Sequence, residues 1–177
     1  MKDKEKAQLQ STPISVPGWD ASKAADSFRA FARHIHGMAK EVLLRDGHHA
    51  EMFFFMPLSG RGHIALWRSN DRDLEAEWLR RHIREHYAFG VVHVVETWMR
   101  LAPPEDHTLR QIMDGEIKIS ELRKEDRKEA LMVSAQSHDG WALSWVDEIL
   151  RDGAGKPLLG ACREFNDFQG RFGKVFG

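Results

Sequence analysis

The chain has 177 residues, 42% hydrophobic and 30% charged, enough to bury one continuous core and short for two independent ones. Lys plus Arg total 26 against 27 Asp plus Glu, a formal net charge of −1 with neutral histidines, so no global field favours nucleic acid or acidic membranes. Apolar runs such as Met52 to Leu58 fall far short of the ~20 residues a membrane-crossing helix needs.

Cys162 is the single cysteine, which excludes an internal disulfide and a cysteine-based zinc site. The first residues carry lysines but no apolar stretch behind them, so no secretory signal is expected and the reading is cytoplasmic.

Residues 1–19 are polar, hold Pro13 and Pro17, and lack a sustained apolar period; they read as a flexible tail, with residues 20–177 forming a single α+β domain. From Asp20, a candidate N-cap, apolar residues recur at Phe28, Phe31, Ala32, Ile35, Met38, Ala39, Val42 and Leu43, the stripe of an amphipathic helix stopped at Gly47. Glu51 to Pro57 and His63 to Arg68, joined by Ser59-Gly-Arg-Gly62, predict a β-hairpin. A second helix is expected from about Asp71 to Tyr87, then a strand from Val91 to Leu101 with apolar residues on both faces, which marks it as central.

Pro103 and Pro104 end that strand, and a helical insertion over residues 103–128 follows, with helical stretches at Thr108 to Asp114 and Ser120 to Arg127. Three further strands close the chain: Ala130 to Gln136, Trp141 to Leu150 and Leu158 to Phe165. Tight turns join them, at Asp139-Gly140 and Asp152 to Gly155, so they form an antiparallel meander. The expected fold is a five- to six-stranded antiparallel sheet packed by two amphipathic helices. This order is loosely similar to profilin-like and roadblock-like layouts, a likeness of fold that implies no function. The tail from Asn166 spaces Phe168, Phe172 and Phe176 roughly helically, a pattern more suited to packing than to stacking nucleic-acid bases, since only Arg171 and Lys174 accompany it.

His82-Ile-Arg-Glu-His86 resembles the inverted H-x-x-E-H motif of zinc proteases. Two imidazoles one helical turn apart can hold zinc and the Glu between them can take a proton from bound water, while a third ligand comes from elsewhere. The resemblance implies His82 and His86 as ligands, Glu85 as the base and the distant Glu164 as third ligand. Against it, His86 shares a helix face with Leu79 and Ile83, which predicts packing on the sheet. His34-x-His36 with Asp46 resembles the JAMM metalloproteases, but Leu43 stands where their serine belongs, and that match fails. His48-His49-x-Glu51 offers ligands or a base at the mouth of the first strand. His93 and Glu96 face opposite sides of one strand and cannot form a pair; His93 reads as a satisfied core histidine. Ser134 and Ser144 lack a G-x-S-x-G elbow, Ser59 to Gly62 lacks the Walker lysine, and Cys162 is expected to be a buried, inert thiol.

The insertion carries Leu109, Ile112, Met113, Ile117, Ile119 and Leu122, too much apolar surface to leave in water. The leading expectation is therefore a non-catalytic interaction or regulatory module without a cofactor. It would bind a protein partner, or a second copy of itself, through Leu109, Ile112, Met113, Ile117 and Leu122 or through a sheet edge. The alternatives are a zinc-dependent hydrolase built on His82, Glu85 and His86, and a small-ligand sensor. Trp141 and Trp145, on one face of a strand with Leu143, are expected to be core.

Overall fold

A computed structural model describes residues 10–66, 72–100, 102–103, 105–166 and 175–176. Its elements are β1 (Gln10–Ser15), α1 (Ala24–Asp46), β2 (Met52–Pro57), β3 (Arg61–Leu66), α2 (Arg72–Glu85), β4 (Ala88–Met99), α3 (His107–Met113), β5 (Lys128–Ser137), β6 (Ala142–Arg151) and β7 (Pro157–Asn166), with 3-10 turns at Ala21–Lys23, Ile119–Glu121 and Lys124–Asp126. All seven strands join one antiparallel sheet in the order β1-β3-β2-β4-β5-β6-β7.

The five- to six-stranded expectation is thus corrected to seven. The added strand, β1, lies in the segment read as a flexible tail, where it pairs with β3 from Gln10↔Leu66 to Ser15↔Arg61. Pro13, opposite His63, hid it: proline lacks the N–H that a central ladder needs, but an edge strand tolerates it. Ile14, Val16 and Trp19 then pack on the core.

β3 and β4 flank β2 and both pair with it antiparallel, so they run in the same direction and their connection must cross a face of the sheet. Helix α2 is that crossing, and α1 covers the opposite face. Strand alternation divides the core accordingly. Phe54, Met56, Val92, Val94, Leu131, Val133, Leu143 and Trp145 meet Phe28, Phe31, Ile35 and Leu43 of α1, whereas Phe53, Phe55, Ala65 and Val91 meet Trp78, Leu79 and Ile83 of α2. β4 is buried on both faces over most of its length, as its sequence implied. Trp145 is core and Trp141 packs against it.

Asp20 caps the turn before α1 by accepting from the Ser22 amide at 2.9 Å, and Gly47 closes α1 in the left-handed conformation (φ 84°), its N–H on the Leu43 carbonyl at 2.9 Å. Beyond α2, the same sheet face carries a smaller cluster of Val95, Ala130, Met132 and Val146, and the turn at Ile119–Glu121 lies against β4. The insertion contains one short α-helix and two 3-10 turns instead of two helices. Leu101, Trp67, Arg68, the expected caps at residues 69–71, Phe168 and Phe172 lie outside the described residues. Among the described residues no helix is long and apolar enough to cross a membrane.

Candidate metal centre

Helix α2 turns Glu75, Trp78, Leu79, His82 and Ile83 inward, the buried stripe of a 3.6-residue period. His86 follows one turn after His82, its amide still bonded to the His82 carbonyl at 3.1 Å, so both rings leave the same side. On β3 the period of two sends His63 to the face that carries Ala65, the face packed by α2. Three imidazoles therefore meet in the gap between helix and sheet.

One ring nitrogen of each of His63, His82 and His86 lies within 4.8 Å of the others. The Nε2 atoms of His63 and His82 are 2.6 Å apart, a hydrogen bond in which one ring's N–H donates to the other's lone pair. Ring centroids stand 4.8 Å apart for His63 and His82, 4.4 Å for His63 and His86 and 4.1 Å for His82 and His86. Three imidazoles sharing a tetrahedral ion at about 2.0–2.1 Å place their nitrogens roughly 3.3 Å apart, a separation that falls within the 4.8 Å limit holding all three nitrogens.

Aromatic walls set the electrostatics. Phe55 stacks on His63 at 5.0 Å, and Trp78 stacks on His82 at 4.9 Å. Burial pushes the His63 pKa down to about 4, with help from the neighbouring His86. It does the same to His82, also to about 4, where His86, His63 and Arg81 add to the effect. At neutral pH both rings are uncharged, the form that binds metal. His63 is half-buried, His82 buried and His86 exposed, so the cluster opens to solvent on the His86 side.

Sequence spacing found His82 and His86 but not His63, because a strand residue shares no spacing rule with a helix pair. The available signal was the alternation of β3, which puts His63 on the inward face. Glu164 is not brought to the pair: it sits on β7 opposite Trp145, whose Nε1–H donates to its Oε1 at 3.0 Å, on the α1 face of the sheet. Glu85 is exposed at the end of α2.

The other candidates separate. His93 Nε2 is 2.8 Å from Glu51 Oε1, and its ring stacks on Phe53 at 4.3 Å. His48 is exposed and His49 buried; each has its Nδ1 near a main-chain carbonyl, Asp46 at 3.2 Å and Ala50 at 2.7 Å. The Glu96 carboxylate accepts from the His49 amide and pairs with Arg151 at 3.7 Å. Ser144 donates to Ser134 at 2.8 Å inside the sheet. Leu109, Ile112, Ile117 and Leu122 are half-buried, and the Met113 side chain lies outside the described residues.

A second cluster, on the α1 face, joins His36 of α1 to Asp147 of β6 and Cys162 of β7. Cys162 is exposed, which corrects the expectation of a buried thiol: β7 is an edge strand, open on its outer side. Burial would raise the Asp147 carboxyl, but hydrogen bonds from His36 and Cys162 outweigh it and hold the group below its ordinary value. A cavity of about 700 Å³ opens on the other flank of α2, lined by Arg80, Ile83, Arg84, Tyr87, Phe89 and His138 among others; the three imidazoles do not line it.

No protein-family model matches the chain, no curated protein matches its sequence, and no solved structure matches its fold. What the fold and the site define is a class alone: an α+β protein with a seven-stranded antiparallel sheet and a cluster of three histidines between helix and sheet.

Proposed function

We propose that the protein binds a zinc-class divalent ion through His63, His82 and His86 and uses it as a Lewis-acid centre for hydrolysis. The observation that carries this reading is the convergence of three imidazole nitrogens within 4.8 Å from a strand and the helix that follows it. Three protein donors leave a four-coordinate ion one position for water, the donor count of catalytic and not structural zinc. The exposed His86 puts that position on the solvent side. Such an ion lowers the pKa of bound water to about 7 and supplies hydroxide. Glu85 is the acid–base group assigned by this reading. The interaction-module reading ranks second, because Leu109, Ile112, Ile117 and Leu122 are half-buried within the chain itself and leave less apolar surface for a partner.

Elemental analysis of the purified full chain, with a chromogenic ester as reporter substrate, tests the proposal. Loss of one equivalent of bound zinc in His63→Ala, and hydrolysis lost in Glu85→Gln with zinc retained, are the expected results. A zinc stoichiometry unchanged in His63→Ala refutes the centre, and that equivalent bound without ester hydrolysis refutes the catalytic assignment.

A further inference from the structure

From its donor geometry we infer a second metal site, formed by His36, Asp147 and Cys162 on the opposite face of the sheet. It takes a borderline divalent ion through one nitrogen, one carboxylate oxygen and one sulfur.

The three donors come from α1, β6 and β7, and one ligand atom of each lies within 4.8 Å of the others. His36 Nε2 is 2.6 Å from Asp147 Oδ2. Register explains the meeting: Asp147 faces Cys162 directly across β6 and β7, on the side of the sheet that α1 covers. The Asp147 side chain is only 2% exposed, so its carboxylate is fixed in direction. The His36 ring stacks on Trp145 at 4.9 Å and 10°, and the Trp145 indole N–H is held by Glu164 at 3.0 Å. Packed rings and hydrogen-bonded neighbours of this kind orient first-sphere ligands in metal sites. Exposure of Cys162 on the edge strand supplies the route from solvent.

A mixed nitrogen, oxygen and sulfur set selects zinc-class ions over calcium or magnesium, which prefer oxygen alone. Lys40 Nζ now stands 3.6 Å from Asp147 Oδ1, with its side chain 34% exposed. It is a flexible cation that a dication displaces into solvent. Binding forms a metal–sulfur bond as the Cys162 S–H bond breaks and its proton passes to solvent, and a metal–nitrogen bond at His36 Nε2 as the proton shared there with Asp147 Oδ2 leaves for solvent or for Nδ1 of the ring.

The chain has one cysteine, so a thiolate-to-metal charge-transfer band can arise only at this site, whereas the three-histidine centre cannot produce one. Chelator-treated full chain, kept reduced, is titrated with cobalt(II) and followed in the near ultraviolet. The expected result is a saturable charge-transfer band that disappears in Cys162→Ser, weakens in affinity by about tenfold or more in His36→Gln, and persists in His63→Ala. The three substituted positions lie outside the apolar core clusters, and circular dichroism checks the fold of each variant. Absence of the band in the wild-type chain, or a band unchanged by His36→Gln, overturns the site. Cobalt bound without the band but lost in His63→Ala refutes this site alone; a band together with a bound-cobalt stoichiometry unchanged in His63→Ala refutes the three-histidine centre alone.

Discussion

Acidification should unfold this protein earlier than its carboxylates alone would dictate. His63 and His82 have folded pKa values of about 4 against 6.5 for a free histidine. Between those values the unfolded chain binds more protons than the folded one, so stability is full above about 6.5 and is lost as pH falls toward 4. At about pH 4.5 a single independent histidine shifted this far would withdraw roughly 2.5 kcal/mol. The cluster is open on the His86 side and the rings share their charge, so screening reduces the combined effect to about 2 kcal/mol for the pair. Asp20, Asp46, Asp106, Asp139 and Asp147 are all held below 3.8, so their contributions are lost only at lower pH. Urea denaturation of the chelator-treated chain at intervals from pH 7 to 4.5 measures the slope, with a His63→Phe, His82→Phe double variant as reference. The wild-type chain should lose about 2 kcal/mol more than the double variant over this range. Parallel profiles would refute the buried, neutral state of these rings.

Other substitutions test the packing around the site. A Cβ at Gly90 would stand 2.4 Å from the ring of Phe28, a side chain with 0% exposure, so Gly90→Ala should cost about 1–3 kcal/mol in chemical denaturation. Tyr87 has φ 48° and is 85% exposed; with little packing to lose, Tyr87→Gly should raise stability by up to about 1 kcal/mol, read as a higher denaturation midpoint. Deleting residues 105–127 should uncover part of the Val95, Met132 and Val146 cluster and raise binding of a hydrophobic dye. A partner captured equally well by the deleted and the full chain would remove the insertion from the interaction reading.

Much of the fold was legible because its signals were local. The i, i+3, i+4 stripe of α1, the Asp139-Gly140 turn and the two-sided apolar pattern of β4 each follow from neighbouring residues. β1 was not, because an edge strand with Pro13 and few apolar positions is stabilised by pairing with β3, 46 or more positions away in register. The site shows the same division. His82 and His86 declare themselves by one helical turn, while His63 joins them only through the crossing of α2 over the sheet. The Asp147 and Cys162 pairing likewise depends on the register of β6 with β7, which shifts between Asp147 and Ile149. Glu164, which the motif resemblance implies as third ligand from its downstream position alone, takes the other face of the sheet, opposite Trp145.

The central claim is that three imidazoles from β3 and α2 hold one ion. Calorimetric titration of chelator-treated Cys162→Ser protein with zinc at pH 7 isolates that site from the one on the opposite face. One saturable equivalent is expected, with affinity reduced about tenfold or more by His63→Ala and unaffected by His34→Ala, a change on the exposed side of α1. Zinc binding of equal affinity with and without His63 would contradict it.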